Sequence, residues 1–220
     1  MATISEENYI KTIYKLEQGQ PGPVLTSAIA GSLSTTAASV TDMIRKLSEK
    51  NLVEYERYKG VKMTRKGEKM ALGIIRRHRL WEVFLEEKLH FRWDEVHEMA
   101  DELEHVSSDE LITRLEAYLG HPRFDPHGDP IPDKNGRVPV GRQELLSGMK
   151  EGHSCRICGV NDHSPAFLRF LEKKGLLPGV EICILELDEF DQSMKIAFKD
   201  NSMLFISRDI SNNLLVTKPE

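Results

Sequence analysis

The sequence predicts a mainly α chain with a small β domain: an N-terminal winged helix-turn-helix, a helical middle and a C-terminal β-barrel. Three observations predict it. Residues 1–64 read as three short helices followed by two alternating strands around Lys59-Gly60. His78 to His105 reads as a helix pair carrying imidazoles and carboxylates at helical spacing. Beyond residue 142, short β-rich segments replace the helical period. At 220 residues the chain suits two or three small domains. They are expected at 1–73 (the winged helix), 74–140 (helical, with 121–142 linker-like) and 143–220 (the small β domain).

Taken in order, Ser5 to Glu17 has apolar residues at Ile10, Ile13, Tyr14 and Leu16, and Thr3 and Glu6 are spaced for a capping box. Gly19 to Pro23 breaks this helix. Leu25 to Leu33 and Thr36 or Ala37 to Lys50 follow as two helices around a tight turn, the second with Val40, Met43, Ile44 and Leu47 inward. Leu52–Tyr58 and Val61–Thr64 then form a hairpin, so the whole reads as a winged helix. Thr36, Ser39 and Thr41, with Asp42 and Arg45 behind them, are what a recognition helix offers to groove and phosphate. Arg57, Lys59 and Lys62 belong at or near the wing tip.

A helix from Lys66 to about Glu87 leaves the wing. After the metal-type stretch, Ser107 to Glu110 offers a second capping box for a helix with Leu111, Ile112, Leu115, Tyr118 and Leu119 apolar. This is too broadly apolar for a lone surface helix, and a dimer partner is expected. Residues 121–142 hold five prolines and three glycines, the pattern of irregular linker. Cys155–Val160, Glu181–Leu187, Lys195–Phe198 and Met203–Ile206 read as strands, with a helix over Ala166–Lys174.

Composition fits a soluble globular protein, 40% apolar and 30% charged, with no apolar run of the ~20 residues that a membrane span needs. The start, MATISEENYIKTIY, lacks a positive region followed by an apolar one, so no secretory signal is expected. Three cysteines argue against a disulfide framework, and a cytoplasmic location is expected. The net charge of −5 hides a division: residues 1–79 carry 14 Lys/Arg against 8 Asp/Glu, whereas residues 80–150 carry 8 against 16. A basic first third suits phosphate, and an acidic middle suits cations.

The acidic middle also has the right donors. His78 and Glu82 lie four apart on one helix face; His97, Asp101, Glu104 and His105 fall at i, i+4, i+7 and i+8 on another. Imidazole with carboxylate is the donor set for a borderline-to-hard divalent cation. The bland alternative for any one of these residues is a solvated acidic face. Cys155 and Cys158 look like half a zinc knuckle, but no second CxxC exists, and i and i+3 in a strand face opposite sides. Glu87–His90 and Glu102–His105 are E-x-x-H pairs of the kind di-metal bundles use, yet the four-helix frame is missing. No nucleophile–base arrangement or phosphate-cradling loop is visible, so an enzyme is not expected. The rival readings are a di-metal carboxylate enzyme or storage protein, and a metal-independent winged-helix regulator.

The order of parts resembles the diphtheria toxin repressor family of metal-dependent transcription regulators, which includes the manganese transport regulators. The strings ENYIKTIYKLE, SVTDMIRKLSEKNLV, KGVKMTRKGEKMA, RRHRLWEVFL, EVHEMADELEHVSSDEL and DPHGDPIP carry the resemblance, over essentially the whole chain. It implies a homodimeric repressor on double-stranded operator DNA, with Mn²⁺ or Fe²⁺ as corepressor. It also implies an SH3-like barrel of the kind found in ferrous-iron transport accessory proteins. Two metal positions per subunit are implied, one matched by His78, Glu82 and His97 and the other by Asp101, Glu104 and His105. The first helix would add a residue at Asn8. Iron-type members carry sulfur ligands at the positions of Asn8 and Asp101; manganese-type members carry carboxylates there and at Lys11. Here Asn8 offers only a neutral amide, and Lys11, as a cation, cannot be a ligand. Asp162 and His163 lie about where the family's barrel supplies extra ligands.

Overall fold

The computed structural model describes residues 2–19, 21–56, 59–105, 108–139, 141 and 143–218. The chain forms two compact units: Met1–His78 with Asp101–Ile112 and Pro132–Val138, and Arg79–Ala100 with Thr113–Ile131 and Pro139–Glu220.

In the first unit, α1 (Ile4–Gln18), α2 (Thr26–Ser32) and α3 (Ala37–Glu49) precede a hairpin of β1 (Val53–Glu56) and β2 (Gly60–Met63). The capping box on α1 is complete: the Thr3 hydroxyl accepts from the Glu6 N–H while the Glu6 carboxylate accepts from the Thr3 N–H. Thr36 caps α3 through its hydroxyl, which accepts from the Ser39 N–H. Val24 bridges to Val61 and gives the hairpin a third rung. Gly60 sits at φ +113°, and a Cβ there would come within 2.7 Å of the Val24 carbonyl oxygen, so only glycine fits this corner. Ile10, Ile13, Ile29, Val40, Ile44, Leu47, Val61 and Ile74 are completely buried and knit the three helices to the wing. Burial of each such side chain is worth roughly 1.5–3 kcal/mol relative to exposure.

The long helix α4 (Arg65–Leu89) is unbroken and ends where His90 turns left-handed at φ 57°. α5 (Val96–Leu103) stops short of Glu104 and His105, which lie in the turn after it. α6 (Asp109–Tyr118) starts with the Ser108 hydroxyl accepting from the Leu111 N–H; Ser107, its expected companion in the cap, lies outside the described residues. Ile112 and Leu115 of α6 are buried, whereas Leu111 and Tyr118 are exposed.

The second unit is built on a six-stranded antiparallel sheet in the order β3-β8-β4-β5-β6-β7, the SH3-like β domain. Its strands are β3 (Glu144–Leu145), β4 (Ser154–Val160), β5 (Glu181–Leu187), β6 (Met194–Phe198), β7 (Met203–Ile206) and β8 (Leu214–Thr217). Two helices, α7 (Pro165–Lys174) and α8 (Arg208–Ser211), complete it, and left-handed Gly175 terminates α7. Leu146, Ile157, Leu168, Leu171, Ile184, Ile196 and Leu214 form its core, and Trp93 joins them. Among the described residues no helix is long and apolar enough to cross a membrane.

Candidate metal centre

The second unit holds a cluster that the sequence reading only half anticipates. Glu82 on α4 is 2% exposed, and its Oε1 accepts a hydrogen bond from His97 Nδ1 on α5 at 3.0 Å. Glu82 Oε2 lies 3.7 Å from Nδ1 of His127, a residue in the proline-rich loop expected to be a linker. Asp125 of the same loop completes the group: one ligand atom each from Glu82, Asp125 and His127 lie within 4.8 Å of one another, and all three residues are buried.

Loop chemistry explains how those side chains are aimed. Asp125 Oδ1 accepts from the backbone N–H groups of His127 and Asp129, both at 2.9 Å, which curls the loop into a tight turn. Gly128 then takes φ +87°, and a Cβ there would meet the Cys158 carbonyl oxygen at 2.1 Å. The loop is thereby seated on β4, where the Val160 N–H also donates to the His127 carbonyl. Arg79 on α4 clamps the far side, with Nη2 2.8 Å from Asp129 and Nε 3.4 Å from Asp125.

His127 is poised as a ligand. Its Nε2 lies 2.7 Å from the Trp93 carbonyl oxygen, and because a carbonyl can only accept, Nε2 carries the proton. In the neutral ring the lone pair is then on Nδ1, a buried atom with no hydrogen-bond partner, facing Glu82. Metal-ligating histidines are oriented in this way, through a backbone acceptor on the other nitrogen. The electrostatics agree. Burial, reinforced by Glu82 and Asp129, pushes the Asp125 carboxyl well above the ordinary range. Burial alone would lower the His127 pKa, but Glu82 and Asp125 outweigh it and push it up to about 8. Carboxylates clustered in a buried site favour a cation among them. A divalent ion replacing the imidazolium proton would meet that demand, and the donor set fits one.

Two more histidines border the cluster. The His163 ring stacks on His127 with centroids 4.8 Å apart and approaches His97 at 6.4 Å. Its Nε2–H donates to the Val160 carbonyl at 3.2 Å, and burial lowers its pKa. Asp162 accepts from the Ser164 N–H at the start of α7.

The first unit gathers the other expected residues into a separate network. His78 Nδ1 lies 2.8 Å from Glu104 Oε2 and 3.2 Å from Asp101 Oδ1. His105 Nδ1 donates to Glu7 at 2.7 Å. Lys11 of α1 reaches between Asp101 and Glu104, at 2.8 and 2.7 Å. Burial would raise the Asp101 pKa, but the His78 hydrogen bond and the Lys11 ammonium hold it well below the usual carboxylate range. Asn8 is exposed.

On α3, Thr36, Ser39, Asp42 and Arg45 are exposed, with Thr36 hydrogen-bonded to Ser39 and Arg45 3.6 Å from Asp42. The Thr41 hydroxyl turns back to the Ala37 carbonyl. Lys59 at the wing pairs with Glu56, and Arg57 lies outside the described residues. Cys155 and Cys158 are free thiols pushed up to about 11 by burial, which makes them poor metal ligands.

Asp125 and His127 are the residues that sequence reasoning missed. Their signal was present in DPHGD: two donors two residues apart, followed by a glycine.

Comparison with known proteins gives the chain its relatives. Residues 1–61 match the iron dependent repressor N-terminal DNA binding domain, residues 64–133 the iron dependent repressor metal binding and dimerisation domain, and residues 145–218 the FeoA domain. The chain is 33% identical over 224 residues to the diphtheria toxin repressor of Corynebacterium glutamicum, covering 97% of this chain and 96% of that protein. It is 29% identical over 151 residues to the diphtheria toxin repressor of Corynebacterium jeikeium, spanning 69% of this chain and 59% of that one. The chain spans little more than half the length of several of the relatives it matches. Among solved structures it resembles a manganese-dependent transcriptional repressor in complex with manganese, with a TM-score of 0.88 and 32% identity over 97% of this chain and 100% of that one.

Proposed function

The chain belongs to the iron-dependent, diphtheria toxin repressor family, and from that premise we propose that it is a metal-dependent transcriptional repressor. In this reading it is a cytoplasmic homodimer that binds double-stranded operator DNA when a divalent cation, Mn²⁺ or Fe²⁺, is bound. The observation that carries it is the buried Glu82–Asp125–His127 cluster with its unpartnered imidazole nitrogen, in a chain that opens with a match to a repressor DNA-binding domain.

Glu82, Asp125 and His127 would hold the ion, with His97 and His163 beside it. An all nitrogen-and-oxygen set favours Mn²⁺ or Fe²⁺ over thiolate-preferring ions. Bound there, the ion supplies positive charge to buried carboxylates that otherwise repel. Trp93 holds the His127 tautomer, and Arg79 holds the loop. Thr36, Ser39, Thr41, Asp42 and Arg45 on α3 are the candidate operator contacts, with Arg57 and Lys59 on the wing. The α4 helix runs unbroken from the wing to Glu82, a direct covalent link between DNA-reading and cation-binding elements. Regulation then follows from linkage: an ion that prefers the DNA-competent state raises DNA affinity, and DNA raises metal affinity by the same factor. The three-domain division at 1–73, 74–140 and 143–220 is the functional partition we adopt. The comparisons favour neither a di-metal enzyme nor a metal-independent regulator.

Fluorescence anisotropy on a duplex from the gene's own upstream region tests the reading, at fixed salt. Tight binding is expected with Mn²⁺ or anaerobic Fe²⁺ and not with chelator. Binding that ignores the ion sinks the proposal.

A further inference from the structure

We propose that the Lys11 ammonium is a built-in replacement for a second metal ion, so that each subunit takes one regulatory cation, at the Glu82 cluster, rather than two. The proposal deepens the repressor reading and rests on it for the word regulatory; the occupancy of the Lys11 position stands on geometry alone.

Lys11 is 7% exposed, and its Nζ donates to Glu104 Oε2 at 2.7 Å and Asp101 Oδ1 at 2.8 Å, with His78 Nδ1 3.1 Å away. An ammonium has three N–H groups and no acceptor, and two of them are spent on these carboxylates. The imidazole converges on the same point, with His78 Nδ1 2.8 Å from Oε2 and 3.2 Å from Oδ1. That is the packing of donor atoms around a small cation, and the cation at its centre is the lysine.

Charge supports the same conclusion. Around this network stand the carboxylates of Glu7, Asp101 and Glu104, matched by the fixed cations Lys11 and Arg77, whose Nη2 is 3.2 Å from Glu7. A divalent ion added beside Lys11 would face an ammonium at contact range, where repulsion is several kcal/mol at an effective dielectric of about 20. At the Glu82 cluster Arg79 pairs with Asp125 and Asp129, and the buried His127 Nδ1 has no hydrogen-bond partner. The Asp101–Glu104 pair carries an ammonium between its two carboxylates, at the place an ion would take. By joining α1 to the turn after α5, Lys11 also performs permanently the cross-linking that an exchangeable ion would perform conditionally.

The test counts ions. Full-length protein equilibrated with buffered Mn²⁺ is analysed by manganese EPR and by elemental analysis after gel filtration. Wild type is expected to hold one Mn²⁺ per subunit, lost in His127→Ala. Lys11→Met, which keeps the stem and removes the charge, is expected to hold two, and Mn²⁺ should raise its Tm more than that of wild type. Lys11→Arg, which keeps a cation, is expected to stay at one. A wild type with two ions per subunit, one of them lost in Glu104→Gln, overturns the proposal, as does a folded Lys11→Met that stays at one. If wild type holds no ion but Lys11→Met gains one, the lysine inference stands and the Glu82 site falls.

Discussion

His127 Nδ1 and Glu82 Oε2 face each other across 3.7 Å of buried space, too far for a hydrogen bond and near enough to share a cation. Replacing the imidazole removes one of three converging ligands. His127→Ala is therefore expected to weaken Mn²⁺ binding by at least the roughly 10–100-fold that loss of even an outer-shell partner costs. Isothermal titration of the purified variant measures this. Affinity unchanged from wild type would remove His127 from the site.

Arg79 braces the loop through its guanidinium, with Nη2 2.8 Å from Asp129 and Nε 3.4 Å from the Asp125 carboxylate itself. Arg79→Met is expected to lower Mn²⁺ affinity about 10–100-fold while leaving the number of ions bound unchanged. A variant that instead lost the ion entirely would show that the loop collapses without its clamp.

The parts of the fold visible in the sequence are those fixed by local chemistry. The Thr3–Glu6 box, the Thr36 cap and left-handed Gly175 each act within a few residues, and the helices they bound emerged within one or two residues of expectation. β3, β8 and α8 were not legible, because such short segments become strand or helix only through sheet partners far along the chain. The same limit governs the site. Helical spacing correctly put His78 and Glu82 on one face of α4, but it could not say which partners each takes. His78 meets a lysine 67 residues earlier, and Glu82 meets a loop whose prolines and glycines read as linker. Among its described residues that loop carries no helix or strand beyond a single Phe124–Pro130 bridge, yet Asp125, His127 and Gly128 within it are buried. Irregular backbone was legible; its burial was not.

Gly128 is the point where loop and sheet meet. Alanine there would combine a left-handed φ of +87° with a 2.1 Å clash against the Cys158 carbonyl. Since the obstacle is backbone, Gly128→Ala is expected to destabilise the protein by about 1–3 kcal/mol or more and to weaken metal binding with it. Urea unfolding with and without Mn²⁺ checks both. By contrast, an added Cβ at Gly179, where nothing lies within 4 Å, would carry only the backbone strain of its φ of +91° and should leave metal binding alone.

Arg45 is exposed on α3 with Asp42 as its 3.6 Å partner, an ion pair too solvated to stabilise much. Its guanidinium is free to exchange that carboxylate for a DNA phosphate. Arg45→Ala is expected to lower operator affinity and to reduce the slope of log affinity against log salt by about 1. An unchanged slope would mean that Arg45 does not contact the backbone.

Glu6 ties the cap of α1 to the end of α3. It is 5% exposed, accepts from the Thr3 N–H, and receives the Lys50 ammonium at 2.6 Å. The Lys50 contact first, then the Thr3 N–H, holds its carboxyl below the ordinary range against the opposing effect of burial. A folded-state pKa below the unfolded value of about 4.3 means that the ionised form stabilises the fold. That contribution is complete above about pH 4.3 and disappears as pH falls through the lower folded value. Glu6→Gln is therefore expected to lower stability by about 1–2 kcal/mol near neutral pH and to converge on wild type in acid. Urea titrations of the metal-free proteins at pH 7 and pH 3 separate the outcomes. A gap that persists undiminished in acid would mean that the side chain acts through packing rather than charge.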